Sequence, residues 1–180
     1  MGSRTMTNMT FSNSKRNLIF GSNSDPTPLR PPWAIAEHDF IETCTRCGEC
    51  VKQCPVNVIK LSDGGFPEMN FSKSGCEFCE VCVAVCLPGA LKLLETDPFD
   101  AIATISDECF SERGVICRSC AEVCENRAIR FHQVVGGITH VLMNTESCNG
   151  CGECVSICPA NAITIQPGQL ILGYQPERAV

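Results

Sequence analysis

Aromatic residues make up only 6% of the 180-residue chain, with one Trp and one Tyr. So little aromatic mass cannot fill several deep cores, and small units without one need disulfides or metals to hold them. No stretch approaches eighteen apolar residues, so no transmembrane helix is expected. The N-terminal region carries no hydrophobic export core either, since its longest apolar run is Leu18-Ile19-Phe20. There is no G-x-G-x-x-G fingerprint, no Walker loop, and no Ser/His/Asp or paired-carboxylate arrangement set for acid–base work. The chain offers no substrate pocket by sequence and is expected not to be an enzyme. His38, His132 and His140 stand at no ligand spacing and are expected on the surface or in strands.

What the chain has is cysteine, sixteen in all. The run Cys148-Asn149-Gly150-Cys151-Gly152-Glu153-Cys154-Val155-Ser156-Ile157-Cys158-Pro159 reads C-x2-C-x2-C-x3-C-P, the bacterial signature of a 4Fe–4S cluster. Cysteines two residues apart let the backbone curl around a cube, and Gly150 and Gly152 ease that curl by tolerating positive φ. Amide N–H groups in the curl can then point at the sulfurs. Pro159 suits a first helical position, where a missing N–H costs nothing.

Cys44, Cys47, Cys50 and Cys54, followed by Pro55, repeat the spacing, and so do Cys76, Cys79, Cys82 and Cys86, with the proline one place later at Pro88. The third quartet departs: seven residues separate Cys109 from Cys117, then come Cys120 and Cys124, with Glu125 in place of proline. The stretched loop can bulge and return Cys117 to an ordinary cube, or mark a more exposed cluster. Four quartets consume every cysteine, so up to four 4Fe–4S clusters are expected, the third quartet being the least regular. Zinc favours two separated C-x2-C knuckles, and a disulfide scaffold would call for an exported chain. The formal charge is −6. Each cluster with its thiolates adds about −2, taking the loaded protein to roughly −14. That argues against nucleic acid and anionic membrane surfaces as partners and favours a basic patch on a protein.

Turn and strand signals alternate with the quartets. Residues 34–43 have weakly helical spacing. A short helical turn is expected after Pro55, then 58–61 and 66–71 form a hairpin about Ser62-Asp63-Gly64-Gly65. Residues 90–94 and 101–105 read as strands joined by a turn at 95–98. Residues 128–132 and 138–143 form a second hairpin about Gly136-Gly137, and 162–165 close the pattern. The fold class expected is α+β, two tandem bacterial-type two-cluster ferredoxin modules at residues 34–97 and 98–166. A flexible tail occupies 1–33, and a C-terminal tail with the apolar patch Leu170-Ile171-Leu172 occupies 167–180. The first unit lacks a clear opening strand.

In two-cluster ferredoxins the fourth cysteine of one run serves the other cluster. Adjacent pairing is the preferred scheme. It groups Cys44, Cys47 and Cys50 with Cys86, and Cys76, Cys79 and Cys82 with Cys54. It likewise groups Cys109, Cys117 and Cys120 with Cys158, and Cys148, Cys151 and Cys154 with Cys124. Nested pairing, first quartet with fourth and second with third, is equally allowed by linker length. Arg46, Lys52 and Arg118 flank cysteines and either tune the clusters by charge or are simply solvated.

Several segments together resemble the NapF ferredoxin-type proteins of periplasmic nitrate reductase systems: Arg30-Pro31-Pro32-Trp33, Cys44-Thr45-Arg46-Cys47, Gly65-Phe66-Pro67, the stretched third quartet through Glu125, and Cys148-Asn149-Gly150-Cys151-Gly152. The likeness runs from about Ser14 to Ile165. Ser14-Lys15-Arg16-Asn17-Leu18-Ile19-Phe20 is similar to that family's basic N-terminus, with Lys where Arg is usual, and reads as a basic patch or a docking segment. The resemblance implies a cytoplasmic iron–sulfur protein. It would bind the catalytic nitrate reductase subunit before export and help mature or load that subunit's own cluster. An electron carrier, or the wiring subunit of a redox complex, is the alternative.

Overall fold

The computed structural model describes residues 28–93, 99–134 and 139–168. The basic segment at 14–20, the turns expected at 95–98 and at Gly136-Gly137, and the apolar patch at 170–172 lie outside the described residues.

Among the described residues, five short helices and six strands follow in the order α1 Glu37–Thr43, α2 Glu49–Lys52, β1 Ile59–Leu61, β2 Pro67–Met69, α3 Val81–Ala84, β3 Ala101–Ile105, α4 Ser119–Glu122, β4 Ile129–Gln133, β5 Thr139–Met143, α5 Glu153–Ser156 and β6 Ile163–Pro167. The strands pair as three antiparallel ribbons, β1 with β2, β4 with β5, and β3 with β6. The first ribbon joins the first two cysteine runs and the second joins the last two. The β3–β6 ribbon aligns Ala103 with Ile165, so the segment before the third run lies against the segment after the fourth. The mixed helix and strand content fits the expected α+β class.

The β1–β2 turn forms where Ser62-Asp63-Gly64-Gly65 supplies the right chemistry. Ser62 donates its amide to the Phe66 carbonyl at 2.8 Å, and Gly65 takes φ 77°, a conformation glycine adopts without strain. In the first half no strand forms at 90–93, contrary to expectation, and Leu94 is undescribed. One bridge pairs Ala34 with Leu91, flanked by Ile35 N–H to Ala90 O at 3.1 Å and Lys92 N–H to Trp33 O at 2.9 Å. Pro31 and Pro32, just before Trp33, have no N–H to donate, so the ladder cannot extend backwards.

Residues 28–33, assigned by sequence to a flexible tail, are packed. Pro31, Pro32 and Trp33 are buried, and Met69 donates its amide to Leu29 O at 2.8 Å. Arg30 fixes this strap. Its guanidinium donates to both oxygens of Glu37, at 2.7 and 2.9 Å, and lies 5.1 Å from the Phe40 ring centroid and 5.4 Å from that of Phe66. At the other end β6 continues to Pro167, one residue beyond the boundary expected at 166.

α1 falls within the 34–43 segment of helical spacing, but the four shorter helices, α2 to α5, sit elsewhere than expected. They precede the fourth cysteine of each run and carry the third: Cys50 on α2, Cys82 on α3, Cys120 on α4 and Cys154 on α5. After the fourth cysteine comes a turn, closed by Asn57 N–H to Cys54 O at 3.2 Å and Asn161 N–H to Cys158 O at 3.2 Å. Pro55 and Pro159 therefore occupy the second position of a β-turn, where their fixed φ is pre-set, and do not start a helix.

The core is small. It gathers Trp33, Phe40, Val58, Ile59, Phe71 and Leu91 in the first half, and Ala103, Ile129 and Ile163 in the second. Cys54, Cys82, Cys120 and Cys154 are each only 8% exposed and count among the buried residues. Thiols thus occupy places that aliphatic side chains fill in other folds.

Candidate iron–sulfur centres

Four cavities are lined by the sixteen cysteines. One is bounded by Cys44, Cys47, Cys50 and Cys86, another by Cys54, Cys76, Cys79 and Cys82, and a third by Cys109, Cys117, Cys120 and Cys158. Each of these three is a narrow gap of about 20 Å³. The fourth is wider, about 440 Å³, and is lined by Cys124, Cys148, Cys151 and Cys154, with Cys76 beside them. Each set takes three cysteines from one run and one from the neighbouring run of the same half. The grouping is the adjacent one; the nested one would require Cys158 beside Cys44, Cys47 and Cys50.

The curl has a regular backbone code. Between the first and second cysteines, Arg46, Phe78 and Gly150 have φ of 59°, 51° and 69°. Between the second and third, Gly48, Glu80 and Gly152 have φ of 74°, 61° and 80°. These paired left-handed residues turn the chain around the cavity. Glycine is at ease there, whereas Arg46, Phe78 and Glu80 are held by their surroundings at a cost of about 1–3 kcal/mol each. The third run lacks the pattern, with Arg118 at φ −138°.

In place of that curl, the third run folds its insert into successive turns. Arg113 donates its amide to Cys109 O at 3.2 Å, and Val115 donates to Phe110 O at 2.9 Å. Ser111, the one buried polar residue among those described, donates its hydroxyl to Cys117 O at 2.5 Å. Glu112 ties the insert to β5 by accepting the Val141 amide at 2.8 Å and pairing with His140 at 2.9 Å. Cys117 thereby returns to its cavity. Nothing in the cysteine spacing identified Ser111; a serine inside an insert is ordinarily solvated.

After the second, third and fourth runs, a turn aims an amide at sulfur. Ala128 N–H points at Cys124 Sγ at 3.3 Å and Ala162 N–H at Cys158 Sγ at 3.4 Å, each four residues on. At the second run the donor is Leu91, five residues beyond Cys86 and 3.4 Å from its sulfur. The extra Leu87 before Pro88 accounts for that shift of one. Each of these turns ends on a left-handed residue, Gly89, Arg127 or Asn161, which swings the following amides inward. Such bonds stabilise charge on thiolate sulfur.

The flanking cations are engaged locally. Arg46 stacks on Phe66 at 4.9 Å, Arg118 on Phe131 at 5.8 Å, and Lys52 pairs with Glu49 at 2.6 Å. His38 is largely exposed beside Asp39 and Glu42, and His132 faces His140 across the β4–β5 ribbon.

The thiol geometry discriminates between candidate metals. All sixteen cysteines are free thiols, and among the described residues no three Cys, His, Asp or Glu side chains close on a point that a single ion could occupy. A tetrahedral zinc site needs sulfurs about 2.3 Å from one ion. Four thiols ranged around a shared gap, without converging on one point, instead fit a polynuclear group. Burial pushes Cys50, Cys76 and Cys120 up to about 11, and Cys82 and Cys154 up to about 12, with neighbouring thiols adding to the rise. Deprotonating such a cluster of thiols calls for a compensating positive core. A cube of iron and sulfide provides one, and it binds four cysteines at its corners.

This donor set defines a ferredoxin-type iron–sulfur protein. Residues 43–90 and 115–162 each match the 4Fe-4S dicluster domain family, the second match beginning beyond Cys109. The chain belongs to that family, alongside the NapF ferredoxin-type proteins. It is 36% identical over 154 residues to the ferredoxin-type protein NapF of Escherichia coli (strain K12), covering 85% of this chain and 94% of that one. It is 35% identical over 182 residues to the methylamine utilization ferredoxin-type protein MauM of Methylobacillus flagellatus, covering 86% and 78%. It is 30% identical over 169 residues to the ferredoxin-type protein NapG of Escherichia coli (strain K12), covering 81% and 73%. The protein is thus one that carries multiple 4Fe–4S clusters. Among the described residues no helix is long and apolar enough to cross a membrane.

Proposed function

We propose that the sixteen cysteines ligate four 4Fe–4S clusters in the four sets that line the cavities, so that the chain is two tandem two-cluster modules at 34–97 and 98–166. The observation that carries this reading is the exchange of fourth cysteines: Cys54 with Cys86, and Cys124 with Cys158, each lining the cavity of its neighbour's run. When bound, such clusters supply one-electron storage. The chain's own residues hold the thiolates, exclude water with Val58, Ala90, Ala128 and Ala162, and direct the amides of Leu91, Ala128 and Ala162 at sulfur. We assign the chain no substrate reaction of its own.

For its role in the cell, we infer an accessory protein of a periplasmic nitrate reductase system. It acts in the cytoplasm on the catalytic subunit before export and aids maturation or iron–sulfur loading. The likeness to NapF over most of both chains supports this reading. An acidic body with formal charge −6 suits a basic docking patch on such a subunit. The second reading, an electron carrier or wiring subunit, is favoured by the likeness to NapG and MauM and by the close contact between the two halves. Affinity capture with this chain as bait, followed by deletion, separates the two. The accessory reading expects the unexported catalytic subunit to be captured, and to lack its cluster when this chain is deleted. A catalytic subunit that is fully metallated and active in the deletion strain, while electron flow stops, overturns it in favour of the carrier.

A further inference from the structure

The two halves touch at one tight junction that neither the cysteine spacing nor the family match requires. The amide of Cys76 donates to the carbonyl of Cys151 at 2.7 Å, and the preceding amide, of Gly75, donates to Glu153 Oε2 at 3.1 Å. Cys76 lines the cavity of the second set and also that of the fourth, to which Cys151 belongs. Two cysteines of different sets are therefore linked through a single backbone hydrogen bond.

Close approach at this point depends on glycine. A Cβ on Gly75 would stand 2.7 Å from Glu153 N and 2.9 Å from Cys151 O, both backbone atoms with little room to yield. On the facing side, a Cβ on Gly152 would run into the ring of Phe71, a core residue of the first half. Val155 and Ile165 from the second half pack onto that same core. The contact is a fitted interface rather than a grazing one.

Within each half the sets are neighbours through their helices. Cys50 on α2 and Cys82 on α3 sit on packed helices, as do Cys120 on α4 and Cys154 on α5. The junction adds the missing link and puts the four sets in a fixed order: first, second, fourth, third. Chain order and spatial order thus differ in the second half.

We propose that the Gly75-Cys76 and Cys151-Glu153 contact is an electron-transfer junction, making the four cluster sites one linear path with the first and third sets at its ends. The inference rests on the ligand assignment above. With Cys54, Cys76, Cys79 and Cys82 holding one cluster and Cys124, Cys148, Cys151 and Cys154 another, the contact would carry a one-electron exchange, the electron lost on one side being the one gained on the other. No bond forms or breaks and no proton moves. The electrons enter from a low-potential one-electron donor, dithionite in the experiment below. Gly75 and Glu153 are positioning residues, holding Cys76 against Cys151.

The test uses the full chain, purified without oxygen, with iron and sulfide counted, then fully reduced with dithionite and examined by EPR. Hydrogen exchange at the Cys76 amide reports the junction directly. The native chain is expected to show spin–spin interaction extending across both halves. Gly75→Val is expected to keep its iron, expose the Cys76 amide to exchange, and leave only the interactions within each half. If Gly75→Val sheds iron, Glu153→Ala, which adds no bulk, is expected to give the same partial loss of coupling with faster exchange at Gly75 and Cys76. A spectrum unchanged in an iron-replete variant whose Cys76 amide has become exposed overturns the junction. A native chain without its full iron overturns the ligand assignment instead, so the two failures are distinguishable.

Discussion

The hydroxyl of Ser111 donates to the carbonyl of Cys117 at 2.5 Å, and the serine is almost wholly enclosed. One buried hydrogen bond thus closes a seven-residue detour and returns the chain to the cavity shared by Cys109, Cys120 and Cys158. Removing the hydroxyl deletes this bond to a half-buried residue, at a cost of about 0.5–1.5 kcal/mol. Ser111→Ala should bind its full iron when fresh and then lose the third-set cluster several-fold faster in air than the native chain. Sulfide release and EPR over time check this. Release spread evenly over all four sites would show that Ser111 does not govern the third.

Arg30 is the clasp of the N-terminal strap. It chelates Glu37 and lies against both Phe40 and Phe66, with its side chain only 11% exposed. Planar, bidentate and stacked guanidinium contacts are not reproduced by an ammonium. Arg30→Ala should destabilise the loaded first half by about 1–3 kcal/mol, and Arg30→Lys should restore little of it. Denaturant unfolding of the iron-loaded protein measures the change. Full rescue by lysine would mean that charge alone is at work.

Exchange of fourth cysteines makes a positional prediction. Cys158 belongs to the fourth run but lines the cavity of the third, while Cys54 belongs to the first run and lines the cavity of the second. Cys158→Ser should therefore damage the cluster held by Cys109, Cys117 and Cys120 and spare the one held by Cys148, Cys151 and Cys154. Site-resolved redox titration or paramagnetic NMR of the variant reads this out. Damage confined to the fourth run would reverse the grouping.

The pH dependence of assembly follows from buried thiols. Burial raises Cys82 and Cys154 to about 12 and Cys50, Cys76 and Cys120 to about 11, against an ordinary value of 9.0. These groups are protonated at neutral pH, so loading must expel their protons. Cluster binding is accordingly favoured as pH rises toward 9 and opposed as it falls. Reconstitution of iron-free chain should release protons and proceed faster at pH 9 than at pH 7. A pH-independent rate without proton release would contradict thiolate ligation.

Much of this architecture was legible because the chemistry of a cube leaves a periodic trace. The C-x2-C-x2-C-x3-C spacing marked three cavities, and alternation at 101–105 gave the strand now seen at Ala101–Ile105. What escaped was information that spacing does not carry. Pro55 and Pro159 fit a helix start and a turn equally well by φ alone; both turns are closed by an amide back to the preceding cysteine carbonyl, and the one at Pro159 also presents the Ala162 amide to sulfur. The strap at 28–33 reads from sequence as the end of a tail, stiffened by Pro31 and Pro32 and with Trp33 able to pin it onto the first half or lie in a plain linker; what escaped was Arg30, a charged residue that packs by stacking. Gly75 looked like one glycine among fourteen until the second half was seen pressing against it. Long-range contacts of that kind leave no local pattern.

The account stands most directly on the metal content of the chain itself. Protein purified without oxygen should be brown and contain about sixteen irons and about sixteen acid-labile sulfides, four of each per cube. About twelve of each would remove one site, the stretched third set foremost, and a colourless protein carrying zinc or disulfides and no sulfide would contradict it outright.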